Sequence, residues 1–354
     1  MRQAQGGRPE LFRAVTAACI FGCAGPRLLE AEAAFFRDVD PWGFILFRRN
    51  VETPDQVRTL VDALRATVGR ADAPVLIDQE GGRVQRLGPP HWRRYPPGRA
   101  YGKIAANDPL TRREIARLGA RLMAHDLASL GINVDCAPVL DIPGPGGHEI
   151  IGDRAYGDGP DEVAVLGRAA AEGLIAGGVL PVIKHIPGHG RARADSHLAL
   201  PVVEAEAAAL DGRDFAPFRA LSDMPMAMTA HVVYAAIDAD RPATTSRAVI
   251  ETAIRGAIGF DGLLISDDLS MRALSGDFSA RAHDALAAGC DIVLHCNGEM
   301  AEMAAVAAGT AVLTGRAQTR AAVALARLPR TSEPFDAAAA RARFDAAFAG
   351  RWAA

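Results

Sequence analysis

The chain has 354 residues, of which 49% are hydrophobic and 23% are charged, and its formal net charge is −3. This composition is typical of a globular protein and excludes a disordered chain or a coiled coil, while the charge offers no basic surface for a nucleic acid. Five scattered cysteines without a CxxC pair favour reduced thiols in the cytoplasm over a disulfide framework.

The first apolar segment is AACIFG at 17–22, which follows Arg2, Arg8 and Arg13 and loosely imitates a secretory signal peptide. The apolar run is short and no polar linker separates it from the sequence that follows, so we expect it to be the first core strand. No stretch approaches the about 18 apolar residues of a membrane-spanning helix, and we therefore expect no membrane span.

Short apolar runs recur along the whole chain. They lie at 17–22, 43–47, 74–77, 132–136, 180–183, 225–229, 262–265 and 291–295. Uninterrupted runs of this length are typical of strands that are buried on both faces of a parallel sheet.

Helical patterns separate these runs. Over 53–68, Val57, Leu60, Val61 and Leu64 follow the spacing of one buried helix face, and Pro54 suits the first helical position after Thr53. Further helices are predicted at about 110–130, 160–178, 204–220, 247–257, 278–289 and 299–313, with accessory C-terminal helices over about 314–354. Eight strand–helix units predict an α/β protein with a (β/α)₈ TIM-type barrel, as a single domain over 1–354. A doubly wound sheet is the alternative, but no GxGxxG opens the first unit.

Charged side chains follow many of the predicted strands at their carboxyl ends. The residues are Asp78, Asp141, Lys184, His185, His231, Asp267 and Asp268. Because the active sites of barrels lie at this end of the strands, we expect these side chains to share a pocket. Of the adjacent Asp267 and Asp268, one can cap the next helix while the other faces the pocket. His231 can equally be a satisfied core histidine.

The segment KHIPGHGRARADSH at 184–197 is longer than the ~2–6 residues that usually join a strand to a helix. Long loops of this kind are often lids over an active site. At its far end lie Asp195 and His197, and an aspartate beside a histidine can fix its tautomer and raise its pKa. The pair therefore predicts a proton shuttle carried by a loop.

Four segments of the chain resemble, in the same order, motifs of the family 3 glycoside hydrolases in the branch of the β-N-acetylhexosaminidases. They are IDQEGGRVQR (77–86), IGDRAYG (151–157), KHIPGHGRARADSH (184–197) and GLLISDDLSM (262–271). The resemblance covers roughly residues 40–297. It departs from the family pattern at Ile186, where phenylalanine is more usual, and at RARA in the variable part of the loop.

The resemblance implies a role for each matching position. Asp267 matches the nucleophile, His197 the acid/base residue and Asp195 the group that orients it. The positions that match sugar-binding residues are Asp78, Arg86, Arg154, Lys184 and His185, and His231 matches a histidine that faces the same pocket. No metal ligand and no cofactor are implied.

The expected function is that of a cytoplasmic, retaining exo-β-N-acetylglucosaminidase of peptidoglycan recycling, which releases N-acetylglucosamine from muropeptides bearing 1,6-anhydro-N-acetylmuramic acid. We expect a monomer whose partner is a small carbohydrate, with no nucleic acid and no membrane. Three alternatives stay open: a metal-dependent barrel hydrolase using Asp78 and the histidines, a broader β-glycosidase or phosphorylase of the same family, and a sugar-binding protein without activity.

Overall fold

Eight parallel strands close into a barrel in which each strand lies beside the next along the chain. The computed structural model describes residues 16–104, 108–144, 146–194, 196, 199–329 and 333–349. The barrel strands are β1 (Ala17–Gly22), β2 (Pro41–Leu46), β3 (Val75–Ile77), β4 (Val134–Asp135), β5 (Leu180–Ile186), β6 (Met226–Thr229), β7 (Leu263–Asp268) and β8 (Ile292–His295). β8 pairs with β1 and closes the barrel. Every predicted apolar run coincides with one of these strands, so the predicted α/β barrel is confirmed.

Helices alternate with the strands. The helices that follow a barrel strand, together with those after the last strand of the barrel, are α1 (Glu30–Val39), α2 (Pro54–Val68), α3 (Pro109–Ala128), α4 (Pro160–Ala176), α5 (Ala216–Ala220), α6 (Val249–Ala257, a π-helix), α7 (Phe278–Ala288), α8 (Met300–Gly309), α9 (Gly315–Ala326) and α10 (Ala337–Phe348). Shorter helical turns lie at Arg48–Asn50, Gly98–Lys103, Gly152–Arg154, Ala207–Ala209, Leu210–Asp214 and Ala243–Thr245. In α2 the side chain of Thr53 accepts a hydrogen bond from the N–H of Gln56, which gives this helix the start that its sequence predicts.

The helix predicted over 204–220 forms in three short pieces instead of one. Leu210–Asp214 is wound as a wide π-turn, and α5 starts afresh at Ala216 with Pro217 in its first turn. Proline has no N–H to give to a continuing helix, but it suits a helix start. The C-terminal region likewise forms two helices, and Asp336 caps the second by accepting from the N–H groups of Ala338 and Ala339.

Side chains of the strands alternate between the barrel interior and the layer under the helices. In β1, Ala18 and Ile20 belong to the interior cluster, whereas Cys19 and Phe21 pack in the outer layer. Leu313 and two alanines of α9 join the interior cluster near the start of β1. Helix α9 therefore covers the end of the barrel where the strands begin, and the end where they finish stays open for a site.

Short strands outside the barrel shape the loops at that open end. Gln79–Gly81 and Val84–Gln85 form an antiparallel hairpin directly after β3. Val202–Val203, Val233–Tyr234 and Asp238–Pro242 form a separate three-stranded sheet. Within the described part of the chain, no helix has the length and apolar character required to cross a membrane.

Candidate active site

A cavity of about 260 Å³ opens at the carboxyl ends of the barrel strands. Residues from the ends of β2, β3, β5, β6, β7 and β8 line it, as expected for a site in this fold. The predicted residues that line it are Asp78, Arg86, Arg154, Lys184, His185 and Asp267. Residues far apart in the sequence thus meet in one pocket because the strand ends converge there.

Two predicted catalytic residues, Asp195 and His197, lie outside the described residues. Ser196, which separates them in the sequence, does line the cavity. Its hydroxyl lies 3.1 Å from Nε2 of His189, and its carbonyl accepts a hydrogen bond from the N–H of Ala273 at 3.3 Å. The described part of the 184–197 segment therefore borders the pocket, as the lid prediction requires.

A cluster of buried opposite charges forms one wall of the cavity, where Asp78, Arg86, Arg154 and Lys184 line it and Glu80 is bonded to two of them without lining it. Nζ of Lys184 lies 2.7 Å from Oδ1 of Asp78 and 2.7 Å from Oε1 of Glu80. Arg86 donates to Oδ2 of Asp78 at 2.9 Å, and Arg154 holds both oxygens of Glu80 at 2.7 and 2.8 Å. Two carboxylates and three cations leave the cluster with a net charge of +1, so it suits polar hydroxyl and carbonyl oxygens of a ligand.

In this cluster the carboxylates and the lysine each stabilise the charged form of their neighbours of opposite sign. Burial alone would raise the pKa of Asp78, but Lys184 and Arg86 outweigh it and hold that pKa well below its usual value. Burial also opposes ionisation of Glu80, yet Arg154 and Lys184 lower its pKa to about 2. Burial would lower the pKa of Lys184, whereas the two carboxylates raise it above its usual value. Asp78, Glu80 and Lys184 therefore stay charged at neutral pH.

Lys184 is one of only two lysines in a chain with 39 lysines and arginines in total. Its side chain is 3% exposed and reaches two carboxylates with a single nitrogen. The planar fork of an arginine would need a wider site, whereas an ammonium is a compact donor that fits between two acceptors. The geometry of these two contacts therefore favours lysine over arginine at position 184.

Glu80 is a site residue that the sequence reasoning missed. It lies two positions after Asp78, and because side chains alternate along an extended segment, this spacing brings both carboxylates to the same face. Gly81 in the same hairpin has a φ of +92°, and a Cβ there would lie 2.3 Å from the carbonyl oxygen of Pro96. The two glycines of the QEGGR motif thus allow the close backbone approach that the sequence suggested.

Arg83 fixes the loop that carries Arg154. Its guanidinium donates to the carbonyl oxygens of Glu149 and Ile150 at 2.8 and 2.6 Å. Arg154 itself donates to the carbonyl oxygen of Ile150 at 3.1 Å. The IGDRAYG motif is therefore tied to the hairpin after β3, which holds its arginine against Glu80.

A second buried group of polar residues centres on Asp141. Oδ2 of this fully buried carboxylate lies 2.6 Å from Nδ1 of His185, and Oδ1 accepts from the backbone N–H of His189 at 2.6 Å. Burial would raise the pKa of Asp141, but the neighbouring His185 lowers it. Burial and the nearby His185 lower the pKa of His189 to about 4, so His189 is neutral at neutral pH. Asp141, noted in the sequence only for its position, thus orients a histidine of the pocket wall.

The two aspartates at the end of β7 have different environments. The carboxylate of Asp268 accepts from Ser270 N at 3.0 Å, Ser270 Oγ at 2.5 Å and Cys296 N at 3.2 Å. Oδ1 of Asp267 accepts from the N–H of Asp268 at 2.8 Å, and Asp267 faces the cavity. Asp268 therefore secures the turn after the strand, but it also lines the cavity, and the next helix is capped by Asp277 instead. The predicted division between a helix cap and a pocket residue is thus wrong for Asp268.

His231 lies behind the pocket wall and is fully buried, so its side chain does not line the cavity. Nδ1 lies 2.7 Å from Oγ1 of Thr244, and Nε2 lies 3.0 Å from the carbonyl oxygen of Asp268. Contact between this ring and a ligand in the cavity would require these bonds to break. The position of His231 matches the alternative interpretation of the sequence, in which it is a buried core histidine with its hydrogen bonds satisfied.

Three of the residues named for the metal-dependent alternative are bound to other protein groups. Asp78 pairs with two cations, His185 with Asp141, and His231 with Thr244 and a carbonyl oxygen. No group of three or more His, Cys, Asp or Glu side chains in the described ranges is arranged to hold a metal ion. A cation would have to displace Lys184 or Arg86 to reach Asp78, which makes this donor set a poor one.

Comparison with known proteins gives the same family as the motifs. Residues 28–329 match the model of the glycosyl hydrolase family 3 N-terminal domain. A β-hexosaminidase of Methylococcus capsulatus is 42% identical over 282 residues, which are 78% of this chain and 82% of that protein.

Solved structures agree. NagZ from Neisseria gonorrhoeae in complex with N-trifluoroacetyl-D-glucosamine superposes with a TM-score of 0.81 at 32% identity, covering 94% of this chain and 96% of that one. The β-N-acetylglucosaminidase of Thermotoga maritima superposes with a TM-score of 0.71 at 28% identity, covering 89% of this chain and 68% of that one. The chain therefore belongs to glycosyl hydrolase family 3, among the bacterial β-N-acetylhexosaminidases, as its ordered motifs predicted.

Proposed function

We propose that this glycoside hydrolase is a retaining exo-β-N-acetylglucosaminidase. The observation that carries the proposal is the position of Asp267, which faces a cavity whose other wall is formed by Asp78, Arg86, Lys184 and Arg154. A carboxylate at a rigid strand end can attack an anomeric carbon while the charged wall holds the hydroxyl groups of the same sugar.

The size of the cavity supports action on a terminal sugar. Its volume of about 260 Å³ lies below the ~300–1,000 Å³ of sites for drug-sized ligands. One sugar ring fits such a space, and an extended oligosaccharide does not. The similar NagZ structure with N-trifluoroacetyl-D-glucosamine supports an N-acylated glucosamine as that sugar.

In the proposed mechanism Asp267 attacks C1 and forms a covalent glycosyl-enzyme. His197 protonates the leaving oxygen in this step, then takes a proton from the water that releases the sugar. Asp195 orients the imidazole and stabilises its cationic form. Positioned proton transfer of this kind is worth about 10²–10⁴-fold in rate, or roughly 3–5 kcal/mol of barrier.

We further propose that the natural substrates are muropeptides that carry N-acetylglucosamine on 1,6-anhydro-N-acetylmuramic acid, degraded during peptidoglycan recycling in the cytoplasm. This part of the proposal rests on the resemblance of the motifs. Incubation with purified anhydro-muropeptides, followed by mass spectrometry of the products, tests it. Release of N-acetylglucosamine supports the proposal, and intact muropeptides together with hydrolysis of other N-acetylglucosaminides would point to a different leaving group.

The first experiment compares 4-nitrophenyl β-N-acetylglucosaminide with the corresponding β-glucoside, with and without phosphate. Faster turnover of the N-acetylglucosaminide and a β-configured product by NMR support a retaining N-acetylglucosaminidase. Formation of sugar 1-phosphate in phosphate buffer would identify a phosphorylase. Sugar binding without turnover would identify a non-enzymatic binding protein.

A further inference from the structure

Three residues of β6 and the loop after it form a set of hydrogen bonds directly behind Asp267. These residues are Thr229, His231 and Thr244, and we call them the threonine–histidine network. The N–H of Asp267 lies 3.4 Å from Oγ1 of Thr229. Oγ1 of Thr229 lies 2.7 Å from Oγ1 of Thr244, which lies 2.7 Å from Nδ1 of His231. Nε2 of His231 then lies 3.0 Å from the carbonyl oxygen of Asp268, so the network starts and ends on the two aspartates.

The carbonyl oxygen at one end of the network indicates which way its protons point. The carbonyl oxygen of Asp268 can only accept, so Nε2 of His231 carries the proton. Burial lowers the pKa of His231, whose titratable neighbours are Asp267, Asp268 and His185, and the ring is neutral at neutral pH. Nδ1 therefore accepts from the hydroxyl of Thr244, for which it is a nearer acceptor at 2.7 Å than the carbonyl oxygen of Ala230 at 3.2 Å. With the Thr244 proton on this bond, Thr229 donates to Thr244. Each bond points the same way around the network, and such chains polarise and strengthen one another.

The network lies where the main-chain pairing of β7 stops. β7 pairs with β6 in register from Leu263 to Ile265, and its pairing with β8 shifts between Ile265 and Asp268. The backbone of Asp267 falls within this irregular stretch. Irregular strand ends of this kind re-aim side chains next to active sites, but they lose ladder hydrogen bonds. Here the hydroxyl oxygen of Thr229 accepts a hydrogen bond from the N–H of Asp267, and Nε2 of His231 donates to the carbonyl oxygen of Asp268.

The other side of the strand end is held by β8. The N–H of Leu269 donates to the carbonyl oxygen of Leu294 at 2.9 Å, and Cys296 N donates to the carboxylate of Asp268 at 3.2 Å. The end of β7 is therefore held from β8 on one side and by the threonine–histidine network on the β6 side. Loss of the network would loosen the β6 side of the backbone at Asp267 while the barrel itself stays paired.

We propose that Thr229, Thr244 and His231 are positioning residues that aim the carboxylate of Asp267 at the anomeric carbon. The inference rests on the proposed role of Asp267 as nucleophile, and it assigns no contact with the sugar to these three residues. A displacement of the reacting carboxylate by about 1 Å can cost about 10²-fold in rate. The network should therefore affect the attack step and leave sugar binding by Lys184 and its neighbours nearly intact.

The test compares Thr244→Val, which keeps the shape of the side chain but removes the hydroxyl, with Thr244→Ser, which keeps the hydroxyl. With 4-nitrophenyl β-N-acetylglucosaminide, Thr244→Val should lower kcat about 10- to 100-fold with KM within about threefold of the wild type. Thr244→Ser should recover kcat to within about threefold. The rate at which a fluorinated N-acetylglucosaminyl fluoride labels Asp267 should fall in parallel with kcat.

Two further variants keep the test decisive. Thr229→Val removes the acceptor for Asp267 N–H but keeps the bond between Thr244 and His231, so it replaces Thr244→Val if that protein fails to fold. Thr252→Val is the control, because Thr252 lies on the exposed side of α6 and its hydroxyl donates to the carbonyl oxygen of Ala248, the residue before that helix. Thr252→Val should leave kcat unchanged.

The outcomes separate this inference from the proposed function. A wild-type enzyme that does not turn over the N-acetylglucosaminide refutes the proposed function, and the comparison is then repeated with whichever aryl glycoside it hydrolyses. An active wild type with Thr244→Val and Thr229→Val both within threefold of its kcat overturns the positioning role. Equal losses in Thr244→Val and Thr244→Ser overturn it as well, because the hydroxyl would then be irrelevant.

Discussion

Replacement of Lys184 by methionine tests the charged wall of the active site most directly. The substitution keeps a long, flexible side chain but removes a cation that lies 2.7 Å from both Asp78 and Glu80. Breaking a buried charge pair by removing one partner costs about 3–5 kcal/mol, because the remaining charge stays buried. Arg86 and Arg154 still contact the two carboxylates, so we expect a loss near 3 kcal/mol in the free energy of unfolding.

The expected loss converts to a measurable shift in Tm. Unfolding entropy is about 2 cal/mol/K per residue, so for 354 residues a loss of about 3 kcal/mol lowers Tm by about 4 °C. Thermal unfolding followed by circular dichroism at pH 7 measures this shift. The control is Lys103→Met at the other lysine of the chain, which is exposed and should change Tm by less than about 1 °C.

The dependence of this loss on pH tests its electrostatic origin. In the wild type the pKa values of Asp78 and Glu80 are depressed, so their contribution to stability is complete above about pH 4.5 and is lost as the pH falls towards 2. Without Lys184 both carboxylates bind protons at higher pH, which relieves the buried charge. The difference in Tm between wild type and variant should therefore shrink from pH 7 to pH 3. A difference in unfolding free energy below 1 kcal/mol at pH 7, or one independent of pH, would refute the reasoning.

Four further predictions follow from the site. Asp267→Asn should abolish turnover of aryl N-acetylglucosaminides. In the wild type, mass spectrometry should find a trapped fluorosugar on Asp267, and a label on another residue contradicts the nucleophile assignment. His197→Gln should slow substrates with poor leaving groups more than activated aryl glycosides, and equal losses in steady-state kinetics would exclude a proton donor. Arg154→Met should raise KM at least about tenfold, because Lys184 is then the one remaining cation paired with Glu80 among the described contacts. An unchanged KM would exclude a role of Arg154 in sugar binding. Burial raises the pKa of Asp135 well above its usual value, so its ionisation opposes folding as pH rises above about 4. Asp135→Asn should accordingly raise Tm at pH 7, and this gain should vanish near pH 4.

The sequence alone determined the barrel and most of its strand positions. The reason is that strands buried on both faces leave uninterrupted apolar runs, which need no knowledge of their neighbours to be recognised. The charged residues after those runs could be assigned to one pocket in the same way, since every strand of such a barrel ends at the same face. The ordered motifs then predicted the family, and the comparisons confirmed it.

Only the tertiary structure decided which polar residues face the cavity and which hydrogen-bond and ion-pair partners each of them has. Whether His231 faces the cavity depends on Thr244 and on the carbonyl of Asp268, which are 13 and 37 positions away and leave no periodic signal. The charged state of Glu80 depends on Lys184 in β5 and on Arg154 in the turn at Gly152–Arg154, which are both distant in the sequence. A sequence records which side chains are present, but hydrogen-bond partners and desolvation arise only when distant segments meet. For that reason the fold and the family could be predicted from the chain, whereas the support behind the nucleophile could not.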